Sequence, residues 1–257
     1  MREVVENELK NRFPNAKKVL DIGGARGLCS FATHVIDILS YQEAKDIWGP
    51  YFKDVSIPPE NWIAHDICDR APFPFADNYF DLVVCSHVLE DIRDPIHVSS
   101  EISRIGKAGY IETPTPLLEL TRGMDPQGKA YVGYCHHRWL VENQDGELVF
   151  SFKPHFLHSS RRFHFPNRFA KKWRRQGREF TQLFWEDNFK AEERVMVSRK
   201  MMEKIIESII KAERGDLLEM RIARFSNQIF QLGKNWTDKL GVQDQLRPIY
   251  SRIRNLF

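Results

Sequence analysis

Across its first 115 residues the chain alternates short apolar runs with polar turns. "KKVLDIG", "THVIDI", "WIAHDI", "FDLVVCS" and "AGYIETP" each read as one strand. Four apolar residues in succession, Leu82 to Cys85, fit a strand buried on both faces, the environment of a parallel sheet. Residues 3–12 read as a helix ahead of the first strand. "HVLEDIRDPIHVSSEISRI" has helical spacing at Val88, Leu89, Ile92, Ile96 and Ile102, with Pro95 expected to break or restart it. Strands alternating with helical or loop segments predict a parallel, doubly wound α/β sheet. "RWLVENQDGELVFSF" differs: Asp145-Gly146 between two apolar runs signals a hairpin, so the sheet is expected to finish on an antiparallel pair. Further on, residues 198–213 and 216–233 read as two helices, with Ser198, Asp216 and Glu219 as caps and Gly233 as a stop. Their stripes, Met201, Met202, Ile205, Ile206, Ile209 and Ile210 on one and Leu218, Ile222, Phe225, Ile229 and Phe230 on the other, read as core packing.

In an open parallel sheet, ligands sit at the carboxyl ends of the strands. Those ends here are Asp21-Ile22-Gly23-Gly24, Asp37, Asp66 and Ser86-His87. A dinucleotide site wants G-x-G-x-x-G opening a long helix whose N-terminus holds pyrophosphate. This chain has G-G-x-x-G, and residues 23–34 are all that join the first two strands, close to the minimum for a crossover. A ligand with a ribose but no phosphate suits such a site better. The acid closing the second strand can accept hydrogen bonds from ribose hydroxyls. Loop capping is the alternative role for Asp21, Asp37 and Asp66.

The succession "VLDIGGARG", "VIDI", "HDI", "PFPFADNYFDLVVCSHVLEDIRDP" and "GYIETP" resembles the class I S-adenosylmethionine-dependent methyltransferases, in their small-molecule branch. The resemblance covers roughly residues 15–155. It implies a Rossmann-like methyltransferase fold and S-adenosylmethionine as cofactor. By the same resemblance Asp21, Gly23, Gly24 and Gly27 match the motif that cradles the methionine part, and Asp37 the ribose acid. Asp66 and Ile67 match the residues beside adenine, and Ser86 and His87 the segment between cofactor and acceptor. Two departures stand out: G-G-A-R-G replaces the family's G-x-G-x-G, and the first helix is about two turns short. Arg26 is positioned in sequence to pair with the cofactor's carboxylate in place of the missing helix end.

Methyl transfer to a hydroxyl needs alignment and a base. His87, after the fourth strand, is the first candidate; His136 and His137, in the loop before the hairpin, are the others. The spacing of His155, His158 and His164 matches no ligand pattern, and no metal site is expected. The expected acceptor is a small polar molecule, a sugar or glycoconjugate, O-methylated. Two rival readings are a non-catalytic binding module with a degenerate glycine loop and an RNA methyltransferase. The fourth strand ends in S-H-V-L rather than an N-P-P-Y-like motif, which weighs against RNA.

Charge divides the chain. Residues 1–160 carry 16 Lys and Arg against 23 Asp and Glu, a balance of −7; residues 161–257 carry 22 against 12, a balance of +10. This places a boundary near residue 158, with a methyltransferase-like domain over 1–158 and a basic, mainly helical extension over 159–257. In "RRFHFPNRFAKKWRRQGR", residues 161–178, eight basic residues and no acid interleave with aromatics. This is either a solvated surface around buried rings or a contact for an anionic acceptor, a nucleic acid or a membrane surface. Nucleic acid ranks below a small or lipid-linked anion. No apolar run reaches the ~18 residues that span a bilayer, the start has no signal-peptide core, and cytoplasm is the expected location. The four cysteines are scattered without a C-x-x-C pair, and buried free thiols are expected.

Overall fold

The computed structural model describes residues 2–49, 57–126, 131–196 and 198–212, with separate positions between 218 and 232. It contains α1 (Glu3–Arg12), β1 (Val19–Ile22), β2 (His34–Asp37), α2 (Tyr41–Trp48), β3 (Trp62–Ala64), β4 (Leu82–Ser86), α3 (Pro95–Ile105), β5 (Ala108–Pro114) and α4 (Pro116–Glu119). Then follow β6 (Trp139–Gln144), β7 (Glu147–Phe152), α5 (Phe156–Ser159), α6 (Asn167–Arg175), β8 (Phe180–Glu186), β9 (Lys190–Arg194) and α7 (Arg199–Ala212). The main sheet has the order β3-β2-β1-β4-β5-β8. Its first five strands are parallel and β8 runs antiparallel to β5, from Ala108 opposite Glu186 to Pro114 opposite Phe180. The fold is thus the mostly parallel, Rossmann-like α/β architecture of methyltransferases.

Alternation along each strand supplies two apolar layers. Leu20, Ile22, Val83, Cys85 and Ile111 face one layer with Val98 and Ile102 of α3, while Val19, Leu82, Val84 and Tyr110 face the other with Val5 and Leu9 of α1. Two details explain the local structure around β4. Asp94 caps α3 by accepting from the His97 N–H at 3.1 Å, and Pro95 occupies the first helical turn, where its missing N–H costs nothing. Pro95 therefore starts the helix, and Val88 to Asp94 form a turn ahead of it. Asp81 accepts from the Lys17 and Lys18 N–H groups at 3.0 Å each and from Lys107 Nζ at 2.8 Å, locking the starts of β1 and β4 side by side.

The antiparallel strand comes from an unexpected place. Asp145 and Gly146 do form the expected hairpin turn, with φ of 54° and 93°, but β6 and β7 join β9 in a separate three-stranded sheet. The strand that completes the main sheet is β8, drawn from the segment whose composition suggests a helical extension. The chain groups into two compact units, each drawn from several stretches of sequence. The first comprises residues 1–114, 138–151 and 180–194, and the second 115–137, 152–179 and 195–257.

In the second unit, Phe163, Phe165, Phe169 and Trp173 are buried while Arg168, Lys171, Arg174 and Arg175 are exposed, so the basic tract is a charged face over aromatic packing. On α7, Met202, Ile205, Ile206, Ile209 and Ile210 are buried as expected. The following apolar stripe differs: Leu218, Ile222, Phe225 and Ile229 are exposed, and Met220 and Ala223 are the buried positions. Asp216, Glu219, Phe230 and Gly233 lie outside the described residues. No described helix is long and apolar enough to cross a membrane.

Gly109 lets β8 approach. A Cβ there would collide with the Val83 carbonyl oxygen and lie 2.6 Å from the Trp185 ring. Gly109→Ala should therefore destabilise the fold by about 1–3 kcal/mol or more, read as a lower urea midpoint, because a central-strand backbone cannot yield. An unchanged midpoint would show that β8 tolerates a shift.

Candidate functional site

The carboxyl ends of β1, β2 and β4 assemble as the sequence suggests. Gly23 takes a left-handed φ of 72° and donates its N–H to the Ile36 carbonyl at 2.9 Å. A single 3₁₀ turn, Gly24–Arg26, replaces the usual crossover helix. What holds so short a connection is a pair of buried acids. Asp37 accepts from the Ala25 N–H at 3.2 Å and from the Leu39 N–H at 2.9 Å, one on each carboxylate oxygen. Asp21 accepts from the Cys29 N–H at 2.6 Å. Both acids are buried, and a Cβ on Gly24 would sit 3.1 Å from the Asp21 carboxyl carbon. Gly23 is crowded from the other side, where a Cβ would run into Val88. Gly27 closes the 3₁₀ turn by donating to the Gly24 carbonyl at 3.2 Å. The Arg26 side chain lies outside the described residues.

Asp66 lies past the end of β3, its carboxylate 42% exposed, and accepts from the Cys68 N–H and from Arg93 at 2.9 Å each. The Cys68 N–H and Arg93 hold its pKa below the usual carboxylate value. The neighbouring Ile67 packs against the apolar layer on the α3 side. Ser86 closes β4, in register with Glu112 of β5.

His87 is held more firmly than its position suggests. Its backbone is left-handed, φ 59°, and its N–H donates to the Glu112 carbonyl at 2.9 Å. The ring stands edge-on to Phe180, with Nδ1 3.4 Å from Glu90 Oε1 and Nε2 3.4 Å from Glu112 Oε1. Partial desolvation of the ring, whose side chain is 43% exposed, opposes its charge, but the adjacent Glu112 and Glu90 carboxylates outweigh it and raise the pKa to about 9. At neutral pH His87 is therefore a cation, where an unperturbed histidine would be mostly neutral. Glu112 is 1% exposed and also takes Arg2 at 2.6 Å, Gln182 at 3.0 Å and the Tyr110 hydroxyl. Burial alone would raise its pKa; His87, Tyr110, Gln182 and Arg2 reverse that and pull it down to about 2.

Sequence reasoning passed over Arg2, Glu90 and Glu112. One signal was present. Tyr110 and Glu112 are two apart in a strand otherwise apolar enough to be buried on both faces, so the charge had to be buried with partners.

His136 and His137 belong to the second unit. The His137 side chain is 7% exposed, its Nδ1 2.7 Å from Glu119 Oε1, while Lys153 Nζ donates to Glu119 Oε2 at 2.7 Å. Burial opposes the charge on Glu119, yet His137 and Lys153 keep its pKa below the ordinary value. His136 is exposed, its ring edge-on to that of His137. The two histidines thus differ: one is fixed by a carboxylate and the other faces solvent.

Whether the first unit's residues can hold S-adenosylmethionine turns on Asp37. Each of its oxygens accepts one backbone hydrogen bond, and a carboxylate oxygen has two lone pairs, so both retain acceptor capacity at the end of β2, where ribose hydroxyls need it. The residues fit the group.

Asp21 has a testable property of its own. Burial raises its pKa to about 7 despite the Cys29 hydrogen bond. The folded state then binds a proton that the unfolded state has released, so stability falls as pH rises from about 4 to 7. Asp21→Asn should remove that dependence and raise the thermal midpoint above pH 7, by a free energy no larger than about 4 kcal/mol, with the advantage vanishing below pH 4. A variant less stable at every pH would show that the carboxylate is held ionised.

Comparison with known proteins agrees with the fold. Residues 29–111 match the family described as "Methyltransferase domain". Among solved structures the chain is similar to an S-adenosylmethionine-dependent methyltransferase from Archaeoglobus fulgidus, at 26% identity over 46% of this chain and 55% of that one, TM-score 0.32. It is also similar to the plantazolicin methyltransferase BpumL, at 18% identity over 44% and 45%, TM-score 0.32. The N-terminal domain of EvdMO1 is 13% identical over 80% of this chain and 69% of that one, TM-score 0.35. The alignment thus spans about half the length of the first of these structures. No curated protein matches the chain. Within the sheet ordered β3-β2-β1-β4-β5-β8, the segment 29–111 is thus similar to a methyltransferase domain.

Proposed function

We propose that the protein transfers a methyl group from S-adenosylmethionine to a hydroxyl of a small polar acceptor, with a sugar or glycoconjugate as the favoured class. The observation that carries the reading is Asp37, a buried strand-end carboxylate that clasps the glycine turn and keeps acceptor capacity for a ribose. Bound S-adenosylmethionine would supply an electrophilic methyl on a good leaving group. The chain's own task is alignment and disposal of the acceptor's proton. Asp37, Asp21 and the turn Gly23–Gly27 would hold the cofactor, with Ile67 and Asp66 beside its base. The imidazole of His87, 43% exposed after β4, suits an acceptor that presents a hydroxyl.

Calorimetry with S-adenosylhomocysteine tests the cofactor assignment. Binding is expected, with NAD binding poorly, and Asp37→Ala should cost about 1–3 kcal/mol of affinity in a variant whose circular dichroism is unchanged. NAD binding with no response to S-adenosylhomocysteine would overturn the assignment. One observation favours a second reading, a non-catalytic binding module: Val88 crowds the turn, and the N–H groups of Gly23, Ala25, Gly27 and Cys29 are used internally. Binding without turnover on any hydroxyl acceptor would decide for it.

His87 remains the proposed base, in a changed form. It accepts a proton only after releasing the one that Glu90 and Glu112 hold on it, and a cation brought to the strand ends favours that release. Turnover should therefore fall as pH drops through about 9. Glu90→Gln should move that limb toward the ordinary histidine value of about 6.5. His87→Ala should cut turnover by about 10²–10⁴-fold with S-adenosylhomocysteine affinity unchanged. An acid limb near pH 6 to 7 in the wild type, insensitive to Glu90→Gln, would remove His87 from the role. His137, whose tautomer is set by Glu119, is the next candidate, ahead of the exposed His136.

A further inference from the structure

We propose that Asp125, Cys135 and His136 form a zinc-binding site in the second unit, independent of the methyl-transfer reading. One oxygen of Asp125, the thiol sulfur of Cys135 and one ring nitrogen of His136 lie within 4.8 Å of one another. Folding, not local spacing, brings them together, because Asp125 is ten residues from Cys135 and the run matches no short ligand motif. Cys135 is also the exception among the cysteines: Cys29, Cys68 and Cys85 are buried, and Cys135 is exposed.

The backbone prepares the arrangement. Gly133 donates to the Thr121 carbonyl at 2.7 Å, Arg122 and Val132 form an antiparallel bridge, and the Cys135 N–H donates to Asp125 Oδ2 at 3.0 Å. These contacts tie the two ends of one loop together, so the donors on its two arms face each other. Asp125 is 5% exposed, and its carboxylate accepts from the Cys135 thiol as well as the backbone. A buried carboxylate already gripping a thiol needs only a cation in place of the thiol's proton. Gly133, at φ 61°, is required for the path, since a Cβ there would lie 2.6 Å from the Glu119 backbone.

The donor set decides the metal. Thiolate, imidazole and one carboxylate suit a borderline-soft cation and exclude a preference for magnesium or calcium, which want oxygen ligands. Tetrahedral zinc with bonds of about 2.0–2.3 Å places its donors about 3.3–3.7 Å apart, so the three groups must close by roughly 1 Å, a movement the exposed Cys135 and His136 can make toward the buried Asp125. Three protein ligands leave the fourth position for water. Zinc held there clamps both arms of the loop and removes the entropy of opening it.

The test uses the full chain, stripped with a chelator and titrated with Zn²⁺ and, as a spectroscopic stand-in, Co²⁺. One ion per chain should bind, and Co²⁺ should give thiolate charge-transfer absorption. Cys135→Ser should abolish that absorption. Both it and Asp125→Asn should weaken Zn²⁺ by more than the roughly 10–100-fold that loss of an outer-shell partner costs. His155→Ala, another histidine of the same unit, should leave affinity and spectrum unchanged. Zinc should raise the thermal midpoint of the wild type and not of Cys135→Ser. Absence of charge-transfer absorption in the wild type, or absorption that survives Cys135→Ser, would overturn the proposal.

Discussion

A single buried carboxylate organises the first unit. Glu112 sits in β5 with 1% exposure, and an isolated charge there would be prohibitively costly. It is stable because Arg2 ahead of α1, Tyr110 on its own strand, Gln182 on β8 and His87 after β4 all converge on it. Each of those groups is thereby told where to be. The start of the chain is held against the sheet, β8 is kept in register, and His87 is held in a left-handed backbone that few residues adopt. Removing the carboxylate would release all four groups at once, so the packing of the first unit and the protonation of its candidate base have one origin.

The glycine turn solves a different problem. A parallel crossover normally uses a helix to satisfy its backbone, and here eleven residues must do so without one. Asp21 and Asp37 substitute for the missing helix by accepting the N–H groups of Cys29 and Ala25. Capping the loop takes one lone pair of each Asp37 oxygen and leaves the others for the ribose contact proposed above.

Much of this was legible in the sequence. The five parallel strands, the stunted crossover and the strand-end acids follow from apolar runs and their punctuation. The family resemblance over residues 15–155 encloses the segment, 29–111, that matches a methyltransferase domain. The rest depended on long-range pairing. Phe180–Glu186 has mixed character, and only its register against β5 makes it a strand. The exposed apolar positions of 218–229 follow a correct helical period, but the period does not say which face is covered. The proton on His87 was unreadable because Glu112 is 25 positions away and meets it only across two neighbouring strands. His137 likewise gains its meaning from Glu119 and Lys153, neither of which its local sequence suggests.

The late arrival of β8 has a consequence for how the protein is made. β5 ends at Pro114 and its partner begins at Phe180, so the intervening chain must emerge before the main sheet can be completed. Closing so long a loop carries an entropic toll that grows only with the logarithm of its length, but it delays the pairing. Until then β5 is an open edge lined with apolar side chains, a template for another nascent chain. During synthesis, the interval between those two strands is when that edge lies open.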